Sequence, residues 1–69
     1  DIRIYNSSGD VFMLIECKAP QVPLTIETLQ QIAQYQKIQQ AEYLVITNGL
    51  QYHIFNKSSE IITDFPSYS

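Results

Sequence analysis

The sequence has few of the residues that often stabilise small proteins. It contains one cysteine and no tryptophan in 69 residues, so no internal disulfide can form. Cys17 and His53 are each alone in the sequence, which excludes the clustered cysteine and histidine ligands of a structural zinc site. The fold therefore has to be stabilised by its hydrophobic core.

Basic residues are also scarce, and the chain carries a formal net charge of -3. A domain that binds nucleic acid by itself normally has an excess of positive charge, so metal ions or other segments would have to supply positive charge if this chain meets DNA.

The longest apolar run, Val11 to Ile15, is far too short to cross a membrane, and no segment resembles a signal peptide. We expect a reducing, cytoplasmic setting.

Size and composition predict one small globular domain over residues 1–69. Hydrophobic residues make up 45% of the chain, with five tyrosines and three phenylalanines, which is typical of a folded domain. A core below roughly 70–80 residues rarely supplies more than about 3–5 kcal/mol. We therefore expect missing sequence, a partner chain such as a second copy, or both.

Hydrophobic periodicity and turn residues predict an α/β fold of order ββαββ. Thr25 is an N-cap candidate for the helix, and Asn48-Gly49 is typical of a type I′ hairpin turn. The strand–helix–strand succession predicts a parallel crossover between the second and third strands. The predicted elements are strands 1–6 and 11–18, a helix over 25–40, strands 43–47 and 50–56, and a short edge strand at 61–63.

The triplet Glu16-Cys17-Lys18, at the end of the second strand, carries the leading functional hypothesis. A hairpin loop centred between Ser8 and Gly9 pairs residues whose numbers sum to 17, which sets Asp1 opposite Glu16. Lys18 then shares their face, because side chains alternate along a strand. The same register sends an apolar set to the opposite face for core packing, namely Ile2, Ile4, Met13, Ile15 and Cys17.

Two opposed carboxylates repel each other unless a cation lies between them. Their hard oxygen atoms favour magnesium, or manganese, and the backbone carbonyl of Cys17 is a further candidate ligand. The Lys18 ammonium could then orient a nucleophile or neutralise a phosphate during phosphodiester cleavage. The alternative interpretation of this triplet is a solvent-exposed charged face.

Three segments resemble the N-terminal domain of type I restriction enzyme R subunits, within the PD-(D/E)XK nuclease superfamily: LIECKAP at 14–20, QIAQY at 31–35 and ITNG at 46–49. The resemblance covers roughly residues 1–56. It implies that Asp1 and Glu16 are the motif acids, Lys18 the motif lysine, and Gln31 and Tyr35 a Q-x-x-x-Y element. It also implies a restriction-endonuclease-like mixed sheet that lacks the family's N-terminal helix and strand.

The predicted function is a magnesium-dependent DNA endonuclease domain of restriction-modification type, which makes the intact protein a hydrolase. Its predicted partners are DNA and other restriction-system subunits or a fused motor domain. Two alternatives remain: a catalytically silent binding or assembly module of the same fold, and a junction resolvase or repair exonuclease of the same superfamily. His53 has no acidic or cysteine partner nearby in sequence, and we expect it to be structural.

Overall fold

The computed structural model describes residues 2–37 and 41–66, with side chains for all of these except 35–37. The chain forms a mixed α/β fold with the predicted ββαββ order, followed by a short fifth strand. No helix in the described part of the chain is long and apolar enough to span a membrane. The elements are β1 (Ile2–Tyr5), β2 (Val11–Cys17), α1 (Ile26–Lys37), β3 (Tyr43–Thr47), β4 (Tyr52–Asn56) and β5 (Ile61–Ile62).

The five strands form one sheet in the order β1-β2-β3-β4-β5. β2 and β3 are parallel, whereas the other neighbouring pairs are antiparallel. A parallel pair needs a long crossover connection, and the segment that contains α1 provides it. The predicted parallel crossover is therefore confirmed. It places the C-terminal ends of β2 and β3 side by side, at the edge of the sheet that runs across the strand ends.

The first hairpin has the predicted register over most of β1. The residues of β1 pair with β2 as Ile2 with Ile15, Arg3 with Leu14, and Ile4 with Met13, and each pair sums to 17. The register then shifts, and Tyr5 pairs with Val11, which leaves Phe12 as the extra residue of a β-bulge. Phe12 consequently packs in the same cluster as Met13.

Both faces of the sheet are apolar, and the core forms on either side of it. The cluster under α1 consists of Leu14, Leu29, Ala33, Leu44, Ile46 and Phe55. The cluster on the opposite face consists of Phe12, Met13, Val45 and Ile54, with Ile4 and Ile15 packed against it. Ile46 is fully buried, and it lies beside Glu16 in the register of β2 with β3.

The prediction of a continuous core face is wrong at its two ends. Ile2 is 51% exposed, and the side chain of Cys17 is exposed rather than buried. Ile2 belongs to an edge strand, and Cys17 is the last residue of β2. Strand alternation decides the side to which a residue points, but it does not decide whether another residue covers it.

Thr25 caps α1 as predicted. Its backbone carbonyl accepts a hydrogen bond from the Leu29 amide at 2.9 Å, and its Oγ1 atom accepts one from the Thr28 amide at 3.2 Å. Leu24, which precedes the cap, packs against the cluster that contains Leu29. This contact and the cap together fix the point at which the connection from β2 enters the helix.

The β3–β4 hairpin is present, but its turn differs from the predicted one. Tyr52 pairs with Thr47, so the loop has four residues and β4 begins at Tyr52. A type I′ turn needs positive φ at both central residues. Gly49 has a φ of 88°. Among the described non-glycine residues, Ser59 alone has positive φ, so Asn48 does not, and the Asn48-Gly49 turn is not of type I′. The Asn48 side chain bonds to the loop backbone instead and holds the wider turn.

Candidate active site

Glu16 and Lys18 lie on the face of β2 that also carries Leu14, under α1. Alternation along the strand places them together, and Lys18 Nζ is 3.6 Å from Glu16 Oε2. The Glu16 side chain is 15% exposed and the Lys18 side chain 36% exposed. The predicted convergence of these two groups is therefore confirmed, and it forms an ion pair that reaches solvent mainly through the lysine.

The backbone around Lys18 is tied to the neighbouring strand. The Lys18 amide donates a 2.8 Å hydrogen bond to the Thr47 carbonyl, one residue beyond the last β2–β3 pair. A turn follows at once, because the Val22 amide donates to the Ala19 carbonyl at 2.9 Å. Pro20 lies inside this turn and restricts its backbone. Lys18 therefore follows β2 directly, is hydrogen-bonded to β3, and leads into a closed turn.

Asp1, the predicted first motif acid, lies outside the described residues. Ile2 pairs with Ile15, which is the register from which the prediction set Asp1 opposite Glu16. The pairing of Asp1 with Glu16 and its role as a metal ligand stay predictions.

The predicted helix residues are only partly described. Both Gln31 and Tyr35 belong to α1, but the side chain of Tyr35 lies outside the described part. Gln31 is exposed, and in the described part of the chain no hydrogen bond joins it to Glu16 or Lys18. The Q-x-x-x-Y element is therefore helical, as expected, and its approach to the ion pair stays a prediction.

Glu16 provides the hard carboxylate oxygen that a magnesium ion prefers, in a position that is largely shielded from water. Within residues 2–37 and 41–66, no group of three or more histidine, cysteine, aspartate or glutamate side chains could hold a metal ion. Glu16 by itself does not form a metal site, so magnesium binding at this edge stays a prediction. The Cys17 carbonyl and Asp1 remain the predicted further ligands, although the Cys17 side chain is exposed and not buried in the core as expected.

His53 lies on β4, directly opposite Ile46 of β3, and is half-buried. Ile46 is also the register neighbour of Glu16, so the fully buried Ile46 separates the histidine from the ion pair. The expectation that His53 is structural stays a prediction.

Asn48 is a residue at this edge whose role the sequence did not reveal. It is 5% exposed, its Oδ1 atom accepts hydrogen bonds from the Leu50 and Gln51 amides at 3.0 and 2.9 Å, and its Nδ2 atom donates to the Val22 carbonyl at 3.0 Å. The loops that it joins border an open groove of about 440 Å³. The Asn-Gly dipeptide indicated a turn, but nothing local indicated the contact with Val22.

Comparisons with known proteins show the family of this chain. A family model described as "Type I restriction enzyme R protein N terminus" matches residues 1–66. The chain belongs to this family. No curated protein and no solved structure gave a significant match. Membership places this R-protein N-terminal domain, with its Glu16–Lys18 pair, in the context of restriction-modification.

Proposed function

We propose that this R-protein N-terminal domain is a magnesium-dependent DNA endonuclease module that hydrolyses phosphodiester bonds. The observation that supports the proposal most strongly is the 3.6 Å contact between Lys18 Nζ and Glu16 Oε2 at the end of β2, in a chain that matches a restriction enzyme family. An acid and a lysine with one residue between them can bind a cation and a phosphate side by side.

Glu16 would hold the cation, with Asp1 and the Cys17 carbonyl as further proposed ligands. When bound, a magnesium ion supplies Lewis acidity to a phosphate oxygen and lowers the pKa of a bound water. Lys18 holds its proton at Nζ and donates hydrogen bonds to a non-bridging phosphate oxygen, whose negative charge grows as water attacks phosphorus. The attacking water gives up a proton to solvent, the bond from phosphorus to the leaving oxygen breaks, that oxygen takes a proton from solvent, and the phosphate remains on one product strand.

Gln31 and Tyr35 complete the proposed site from α1. They lie four residues apart, so they share one face of the helix. We assign them to the rim, where they would contact the nucleic acid and not the cation. The proposed partners are DNA and the other subunits of a restriction system, or a motor domain, which would also contribute the positive charge that this acidic domain lacks.

A DNA cleavage assay with the full-length protein and the subunits it requires tests this proposal. The wild type should cut DNA when magnesium or manganese is added, and Lys18→Ala should remove most of that activity while calcium-supported DNA binding remains. Cleavage by Lys18→Ala at the wild-type rate would refute the proposed role of the lysine. Branched, linear and circular substrates in the same assay distinguish a restriction nuclease from a resolvase or an exonuclease.

The second candidate is a non-catalytic binding or assembly module, which the net charge of -3 favours. In such a module, Lys18 would neutralise Glu16 permanently and no cation would be needed. Titration calorimetry with magnesium or manganese separates the two functions. Binding that is lost in Glu16→Gln supports the nuclease, whereas the same heat from both proteins supports the assembly module.

A further inference from the structure

Asn48 is the one buried polar or charged residue in the described part of the chain. A buried amide is costly unless it forms hydrogen bonds, and Asn48 forms three through its side chain. Two of these bonds stabilise its own loop. The third reaches Val22, 26 residues earlier in sequence, and therefore serves a different part of the structure.

Two other asparagines show what an ordinary turn asparagine does in this fold. Asn6 Oδ1 accepts hydrogen bonds from the backbone amides of Ser8 and Asp10. Asn56 Oδ1 likewise accepts from Ser58 and Glu60, and its Nδ2 donates to the Glu60 side chain within the same turn. Asn48 differs because its Nδ2 atom donates to a separate loop.

That separate loop is the segment that follows the proposed catalytic lysine. The Lys18 amide bonds to the Thr47 carbonyl at 2.8 Å, and the Val22 carbonyl bonds to Asn48 Nδ2 at 3.0 Å. The adjacent residues Thr47 and Asn48 thus hold both ends of the segment Lys18–Val22. The Ala19–Val22 hydrogen bond closes the turn between them, so a shift at Val22 would be transmitted to Lys18.

We propose that Asn48 is a positioning residue for the reaction: through its bond to the Val22 carbonyl it holds the Lys18–Val22 segment, and with it the Lys18 ammonium, beside Glu16. The inference rests on the proposed function, because it assigns Asn48 to the same site. Asn48 touches neither phosphate nor cation in this scheme. Its effect is on the geometry of the transition state, in which small misplacements are costly.

Asn48→Ser tests the inference in the full-length protein. The serine hydroxyl can still accept a loop amide, carries no charge and is too short to reach Val22. Asn6→Ser and Asn56→Ser are matched controls, because they shorten a turn asparagine at the opposite edge of the sheet. If Asn48→Ser does not fold, Asn48→Asp replaces it, since aspartate keeps the size and the two acceptor contacts but loses the donor.

The first readout is hydrogen exchange at the Lys18 and Val22 amides, which does not depend on cleavage. We expect Asn48→Ser to raise both exchange rates by about tenfold or more through local opening, with neither control doing so. The second readout is the kinetics: kcat for DNA should fall about 10- to 100-fold. KM and calcium-supported DNA affinity should stay within roughly threefold, as expected when only transition-state stabilisation is lost.

Unchanged exchange at Lys18 and Val22 would overturn the inference, and so would faster exchange with an unchanged kcat. A fall in kcat that the two control variants share would indicate a general structural effect and would also overturn it. A wild-type protein that does not cleave DNA would contradict the proposed function and, with it, the kinetic effect expected of Asn48. The exchange rates would then decide by themselves whether Asn48 holds the segment.

Discussion

Lys18 and Thr47 are joined by a 2.8 Å backbone hydrogen bond just beyond the last paired residues of β2 and β3. This bond extends the parallel ladder to the lysine and fixes its Cα atom relative to a buried strand. The side chain can therefore return to Glu16 on the same face of β2. A strand end that is held in this way presents a charged pair without a flexible loop.

The cluster under α1 should account for much of the stability of the domain. Leu14 is 1% exposed and lies in that cluster, so Leu14→Ala should lower the free energy of unfolding by about 2–5 kcal/mol. Leu50→Ala is the matched control, since Leu50 is 80% exposed and should change stability by less than about 0.5 kcal/mol. Urea denaturation measures both, and equal effects would contradict this assignment of the core.

Gly49 should be needed for its backbone conformation and not for space. Its φ is 88°, and a Cβ atom placed there would meet nothing within 4 Å. Gly49→Ala should therefore cost only the strain of a left-handed residue, about 1–2 kcal/mol. Gly9→Ala, at a φ of 85° and in equally open space, should cost about the same in urea denaturation. A much larger loss at Gly49 would reveal a steric contact that the structure does not contain.

Cys17 should react with thiol reagents in the folded protein, because its side chain is exposed. Iodoacetamide labelling of Cys17, followed by mass spectrometry of its peptide, should proceed at a rate within about tenfold of the rate in the urea-unfolded chain. The reason is that the reagent can reach the thiol without unfolding of the domain. Cys17→Ser should change the free energy of unfolding by less than about 0.5 kcal/mol. Strong protection of the thiol from labelling would contradict its exposed position and support the buried position expected from strand alternation.

The sequence predicted well what depends on local patterns. The alternation of β1 and β2 and the turn between them specified the pairing of Ile2 with Ile15, and Thr25 marked the start of α1. Glu16 and Lys18 converged because a strand has a period of two. These features need no knowledge of distant residues, which is why a single sequence was enough.

Features that depend on distant contacts were missed. The bulge at Phe12 has no marker such as glycine in the strand, and the burial of Asn48 depends on Val22 in another loop. Strand alternation gave the direction of Cys17 but not its exposure, because exposure depends on which residues pack against that end of the sheet. The Asn48-Gly49 dipeptide predicted a hairpin, while the Asn48 side chain determined the wider loop.

The rate of magnesium-dependent DNA cleavage by Glu16→Gln tests the central claim most directly. The substitution keeps the shape of the side chain and removes the charge that would hold the cation. In the full-length protein with its required partners, we predict a loss on the order of a thousandfold. Glu42→Gln, at an exposed acid, should retain the wild-type rate. Cleavage by Glu16→Gln at the wild-type rate would contradict the assignment of this edge as a nuclease site.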